Sequence, residues 1–177
     1  MSENTSERDF IPVNIALMTV SDTRQFATDK SGDLLQARIK EAGHILAARA
    51  IVKDQQTHIT QQLRAWIADD NIDVVIATGG TGLTGNDITP EAFAEVYEKE
   101  ISGFGELFRQ LSYDIIGTST MQSRATGGLS CGTYLFALPG SPGACRDGWD
   151  KILKSQLDAR HKPCNLVELM PRLREHL

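Results

Sequence analysis

Short apolar runs alternate with helical stripes along the first half of this chain, and that alternation restricts the fold more than any other feature. Val13-Asn14-Ile15-Ala16-Leu17-Met18-Thr19-Val20 has the length and continuity of a buried strand. After it, Ser31 is a candidate N-cap for a helix in which Leu34, Leu35, Ile39 and Ala42 recur at helical spacing until Gly43 stops it. Residues 44–52, rich in Ile, Leu, Val and Ala, return to the sheet. Ile59, Leu63, Trp66 and Ile67 form a second helical stripe near 57–69, and Ile72-Asp73-Val74-Val75-Ile76-Ala77 is a third strand. Strand, helix, strand, helix, strand predicts right-handed crossovers and helices on both faces of the sheet. The expected fold class is α/β, a three-layer αβα sandwich around a mostly parallel sheet.

The second half continues that layer. Thr89-Pro90 places an N-cap before a proline at the first helical position and opens a helix through about Lys99. Residues 103–112 read as a short helix with Phe104, Leu107, Phe108 and Leu111 on one side. That face either packs internally or meets a neighbouring subunit, and a homo-oligomer is expected. Residues 126–138 hold two strand-like runs around a Cys131-Gly132 turn, and Ser141-Pro142 starts a last helix carrying Cys145, Trp149, Ile152, Leu153 and Leu157. At 177 residues and 41% hydrophobic, the chain suits one domain with its own core. Residues 1–10 are expected to be a flexible N-terminal tail, 11–165 the domain and 166–177 a C-terminal tail.

Several function classes drop out. A net charge of −5 lacks the basic field that nonspecific nucleic-acid binding needs. The polar, acidic start shows no signal peptide, and no run of about 18 apolar residues spans a membrane. Three cysteines without CxxC spacing read as reduced cytosolic thiols, and four scattered histidines share no metal-ligand spacing. The chain is therefore expected to be cytoplasmic, with no nucleic-acid or membrane partner.

In open parallel sheets ligands bind beyond the carboxyl ends of the strands. The segments following the four proposed strands are Ser21-Asp22-Thr23-Arg24, Lys53-Asp54-Gln55, Thr78-Gly79-Gly80-Thr81-Gly82 with Asp87 beyond it, and Pro139-Gly140-Ser141-Pro142. Four loops rich in glycine, hydroxyls and carboxylates should thus share one rim. Thr78 to Gly82 reads as a tight turn or as an anion cradle whose free N–H groups and threonine hydroxyls face a ligand. Gly80 to Gly85 matches GxGxxG, but it follows the third strand rather than the first and opens no helix directly, so the dinucleotide fingerprint is not met; no GK[ST] follows any glycine run either. Asp54 and Asp87 are each a turn former or cap taken alone. Together beside a glycine loop, they are the hard oxygen ligands that Mg2+ needs in phosphoryl or nucleotidyl transfer. Ser141 caps a helix or touches an anion; Ser21, Asp22 and Arg24 frame a polar substrate or a solvated loop; Arg109 and Arg124 pair with phosphate or stay exposed on a helix.

Thr78-Gly79-Gly80-Thr81-Gly82, Asp87-Ile88-Thr89-Pro90-Glu91, Gly103-Phe104-Gly105-Glu106, Ser123-Arg124-Ala125 and Leu138-Pro139-Gly140-Ser141-Pro142, in that order, resemble the molybdopterin-binding family and within it the B-type branch. The likeness runs from about residue 11 to 165. It implies a trimer or hexamer and a role in molybdenum cofactor biosynthesis. Related adenylyltransferases let the terminal phosphate of molybdopterin attack the α-phosphate of Mg-ATP, giving adenylyl-molybdopterin and pyrophosphate. By the same resemblance Asp54 and Asp87 match the family's two key acids. Thr78, Gly79, Gly80, Thr81 and Gly82 match its ligand loop, and Ser21, Gly140 and Ser141 match further anion contacts. A noncatalytic molybdopterin-binding or delivery protein is the alternative. One departure stands out: many relatives carry a lysine shortly after the Pro-Gly turn, where this chain has Gly143-Ala144.

Overall fold

Six strands form one sheet in the computed structural model, which describes residues 8–176: β1 (Asn14–Val20), β2 (Ile45–Val52), β3 (Val74–Thr78), β4 (Lys99–Glu100), β5 (Thr126–Ser130) and β6 (Thr133–Leu138), in the order β2-β1-β3-β6-β5-β4. The four strands β2, β1, β3 and β6 run parallel, with Leu17 opposite Ile76 and Ile76 opposite Phe136. β5 is antiparallel to both of its neighbours. Most of the expected N-terminal tail, residues 1–7, lies outside the described residues, as does Leu177.

The period of two along each strand divides the core into two layers. Ile15, Leu17, Val74, Ile76, Tyr134, Phe136 and Leu138 point to one face. There they meet α1 (Lys30–Glu41) through Leu35 and Ile39. They also meet α4 (Ser102–Ile116) through Phe104 and Phe108, and α5 (Pro142–Gly148) through Cys145. Ala16, Met18, Val20, Val75, Ala77, Leu135 and Ala137 point to the other face and meet α2 (Gln56–Ile67) and α3 (Thr89–Ala94) through Ile59, Leu63, Ala92 and Phe93. Each large side chain removed from water on either face contributes roughly 1.5–3 kcal/mol. α5 continues into a wider turn, Trp149–Leu153, and then Lys154–Gln156, which carries Trp149 and Leu153 into the first layer. No helix among the described residues is long and apolar enough to cross a membrane.

Several boundaries differ from the sequence expectation. The N-cap of α1 is Asp29, not Ser31: the Asp29 carboxylate accepts the Gly32 amide at 2.9 Å, while the Ser31 hydroxyl turns away and donates to the Gly140 carbonyl at 2.7 Å. Helix α3 stops at Ala94 rather than near Lys99, because Lys99 and Glu100 pair as an edge strand with Leu129 and Gly128. Ile88 occupies the cap position expected for Thr89, whose hydroxyl donates to the Gly79 carbonyl at 2.8 Å. Helix α4 runs on past Ser112 to Ile116. The β5–β6 hairpin is as expected, with Cys131 at φ 47° and Gly132 at φ 83° in the two turn positions.

At the amino ends of the parallel strands, polar groups are closed off against one another. The Asn14 amide donates to Asp73 at 2.7 Å, the Val13 amide to Nδ1 of His44 at 3.3 Å, and the Tyr134 hydroxyl to the Leu166 carbonyl at 3.0 Å. Residues beyond 165 extend the core. Val167 is buried, and Leu166, Met170 and Leu173 pack on the layer that holds α1 and α5. Asn165 anchors this segment by donating to the carbonyls of Ala159 and His161 and to Glu168, and by accepting the Glu168 amide.

Candidate functional site

Parallel strands send their carboxyl ends to one rim, and the loops leaving β1, β2, β3 and β6 meet there around a cavity of about 720 Å³. Ser21, Asp54, Gly79, Gly80, Thr81, Gly82, Asp87, Gly140 and Ser141 all line it. Thr78 does not. It is fully buried, and its hydroxyl donates to the Pro139 carbonyl at 3.0 Å and lies 3.0 Å from the sulfur of Cys145. Its place is beneath the glycine loop, tying the end of β3 to the end of β6. Burial pushes the neighbouring Cys145 thiol up to about 11, so it is a neutral core residue.

The glycines here answer to close packing. Gly79 and Gly80 sit at φ 101° and 67°, where side chains are strained. A Cβ on Gly79 would collide with the Val20 carbonyl at the end of β1, and one on Gly140 would lie 3.3 Å from Cα of Gly79. The loops after β1, β3 and β6 are thus nested backbone against backbone. A Cβ on Gly82 would sit 2.7 Å from Oδ2 of Asp87, so the absence of a side chain lets this carboxylate fold back onto the loop.

The two acids have different surroundings. Asp54 is joined to Asp22 reciprocally: the Asp22 amide donates to Oδ2 of Asp54 at 3.0 Å, and the Asp54 amide donates to Oδ1 of Asp22 at 3.2 Å. Burial, then the charges of Asp22 and Asp87, raise the Asp54 pKa above the ordinary carboxylate value, although the Asp22 amide pulls the other way. Burial also opposes the charge on Asp87. There, donation from the Thr84 hydroxyl at 2.7 Å and amide at 2.9 Å, with the Gly82 amide and the Arg124 charge, outweighs it and holds the carboxyl below the usual range.

Among the described residues no group of three or more His, Cys, Asp or Glu side chains is placed to hold a metal ion. Two carboxylates, one of them crowded by like charge, fit Mg2+, which takes one or two protein carboxylates and completes its shell with water and substrate phosphates.

Arginines found from sequence have separate places. Arg24 lines the cavity, donates to the Gly140 carbonyl at 3.0 Å and lies 3.8 Å from the buried Asp29. Arg124 is committed to scaffolding: it donates to the carbonyls of Gly82 at 2.8 Å and Asp87 at 2.7 Å and pairs with Glu91. Arg109 lies away from this cavity and donates to the Ala125 carbonyl. Residues not singled out from sequence complete the wall: Phe108, Ser112, Ile115 and Ile116 of α4, Asn86, and Arg146 of α5. Of these α4 residues only Phe108 carried a signal, as part of an apolar stripe that reads equally well as core; Ile115 and Ile116 lie beyond the expected end of the helix.

Chemically, a backbone cradle with positive-φ glycines beside two carboxylates can hold a phosphate together with a divalent cation, and the apolar α4 wall can cover a flat ring. A family model described as "probable molybdopterin binding domain" matches residues 16–159. Molybdenum cofactor biosynthesis protein B of Escherichia coli (strain K12) is 50% identical over 165 residues, 93% of this chain and 96% of that protein. The Bacillus subtilis (strain 168) protein of the same name is 42% identical over 146 residues, 82% of this chain and 86% of its own. A crystal structure of a molybdenum cofactor biosynthesis protein B superposes with a TM-score of 0.85 at 40% identity, covering 95% of this chain and 99% of the other. The structure of a tungsten cofactor synthesizing protein MoaB from Pyrococcus furiosus does so at 0.76 and 33%, covering 92% and 98%. On sequence and fold alike, the chain belongs to the molybdopterin-binding-domain family that includes molybdenum cofactor biosynthesis protein B.

Proposed function

We propose that the chain binds molybdopterin by its phosphate in the rim cavity and adenylylates it with Mg-ATP. The observation that carries this reading is the meeting of the Gly79–Gly82 loop with Asp54 and Asp87 in one cavity. In the reaction an oxygen of the pterin phosphate bonds to the α-phosphorus of ATP, and the bond from that phosphorus to the bridging oxygen breaks. Pyrophosphate leaves, and adenylyl-molybdopterin remains. Such transfers depend on positioning and charge stabilisation.

Each part has its task. The amides of Gly80 and Thr81 would hold phosphate oxygens, since those of Gly79 and Gly82 already donate to the Leu138 carbonyl and to Asp87; Asp54 and Asp87 would hold Mg2+, which supplies charge neutralisation on the reacting phosphates. The depressed pKa of Asp87 keeps it ionised for that role, and a cation beside Asp54 relieves its repulsion from Asp22 and Asp87. Phe108, Ile115 and Ile116 shield the site from water and give a flat ring an apolar surface. ATP as co-substrate suits a cytoplasmic protein. Exposed Leu107, Tyr113, Ile115, Ile116 and Met121 on α4 and the turn after it support a homo-oligomer, trimer or hexamer, which sedimentation analysis would count.

The test is incubation with molybdopterin and ATP labelled at the α-phosphate. Label should pass to the pterin with stoichiometric release of pyrophosphate; release no greater than in a protein-free control rejects the reaction. A second reading, noncatalytic binding or delivery of molybdopterin, is favoured by Gly143-Ala144 standing where the family resemblance implies a lysine in many relatives. Tight pterin binding without nucleotide turnover would establish it instead.

A further inference from the structure

Charge is unevenly divided around the cavity. Acids gather on the loops after β1, β2 and β3, where Asp22, Asp54 and Asp87 influence one another. On the β6 side two arginines line the cavity, Arg24 and Arg146. Arg24 is already engaged by the Gly140 carbonyl and Asp29. Arg146 has no carboxylate partner among the described residues; the adjacent Asp147 lies 3.5 Å from Lys151 instead. Its Nη2 is 3.7 Å from where a Cβ on Gly143 would stand, so the guanidinium folds back along α5 towards the rim, over a surface that Gly143 and Ala144 leave bare.

We propose that Arg146 is a ligand-binding residue that grips the phosphate of the bound molecule and sets the preference of this cavity for phosphorylated over unphosphorylated ligand. A guanidinium presents paired N–H donors that match two phosphate oxygens, and it remains charged at any working pH. No internal ion pair has to break before it can engage. The bare helix surface is part of the device, because a longer side chain at position 143 would occupy the space that the guanidinium crosses. This inference rests on the cavity being the pterin site.

Calorimetric titration of wild type and Arg146→Ala with molybdopterin and with its dephosphorylated counterpart tests it. Arg146→Ala should weaken the phosphorylated ligand about tenfold, as expected for one charge-assisted contact, and leave the dephosphorylated one unchanged. Arg146→Lys should fall between. Gly143→Lys placed in the Arg146→Ala background should recover much of the loss, since a lysine there enters the vacated space. Equal affinities of wild type and Arg146→Ala for molybdopterin overturn the inference, as does equal weakening of both ligands, the mark of a structural role. Wild type that binds neither ligand overturns this inference and the proposed function together. Unchanged binding in Arg146→Ala with pyrophosphate release intact overturns this inference alone.

Discussion

The two ends of the parallel sheet are built from the same kinds of residue to opposite effect. At the amino ends polar side chains are closed off: Asn14 with Asp73, His44 with the Val13 amide, Tyr134 with the Leu166 carbonyl, and Asn165 with Ala159, His161 and Glu168. At the carboxyl ends Asp54 is crowded by like charge, Arg146 has no carboxylate partner among the described residues, and the glycine loop presents backbone where side chains would otherwise cover it. Satisfied groups contribute to holding the fold, and unsatisfied ones are available to a ligand. The difference teaches that the amino end serves stability alone, whereas the rim carries the chemistry beside its own scaffolding by Thr78 and Arg124, so damage to the amino end should leave the chemistry intact.

The sharpest test of that separation lies at the rim. Asp87→Asn should lower the pyrophosphate-release rate by about a hundredfold to a thousandfold, as loss of one fixed charge or donor does in comparable sites. Asp54→Asn should do likewise and leave the melting temperature nearly unchanged, since it relieves the repulsion from Asp22 and Asp87. Asp87→Asn, by contrast, gives up part of the donation from Thr84 and Gly82 and should cost about 1 kcal/mol, or roughly 2–4 °C. An unfolded variant, or one with normal turnover, would break the comparison.

Next comes the opposite end. Asn165 is 2% exposed and ties the closing segment to the core, so Asn165→Ala should cost about 2 kcal/mol, or roughly 4–8 °C in melting temperature. Turnover measured below the melting range should be unaltered; a fall in rate without a fall in stability would show that the two ends communicate.

The smallest effect expected is that of acid on the amino end. Burial lowers the pKa of His44 from 6.5, with Asp158 opposing in part, so the folded chain favours the neutral ring that accepts the Val13 amide. A group depressed in this way contributes stability that is complete above pH 6.5 and disappears as pH falls through the folded value. Melting curves taken from pH 8 down to 5 should slope downward below that point, and His44→Asn should flatten this part of the profile. Equal slopes would remove His44 from the account.

Much of this layout was legible from periodicity. Continuous apolar runs mark β1, β3 and β6, and the parallel order they imply puts Asp54, Gly79 to Gly82, Asp87, Gly140 and Ser141 on one rim, where the structure has them. What escaped has physical reasons. Lys99-Glu100 is too short and too exposed to show a strand pattern, so α3 was expected to run through it. Asp29 and Ser31 are both good caps, and only the buried Thr19 hydroxyl, 2.6 Å from the Asp29 carboxylate, decides between them. Thr78 has the residue type of a ligand donor, but its hydroxyl is claimed by Pro139. Ile115 and Ile116 lie past Ser112, where the helix was expected to stop, so no pattern placed them on the cavity wall. The fold of Arg146 over Gly143 depends on space, which periodicity does not report.

The interleaved backbones of Gly79, Gly140 and the end of β1 carry one more consequence. Chain entropy lost in arranging the phosphate donors is lost once, while the protein folds, and is not charged again when a guest arrives. Capture should therefore leave the main chain almost where it was, and even alanine at position 79 should distort an empty socket as much as an occupied one.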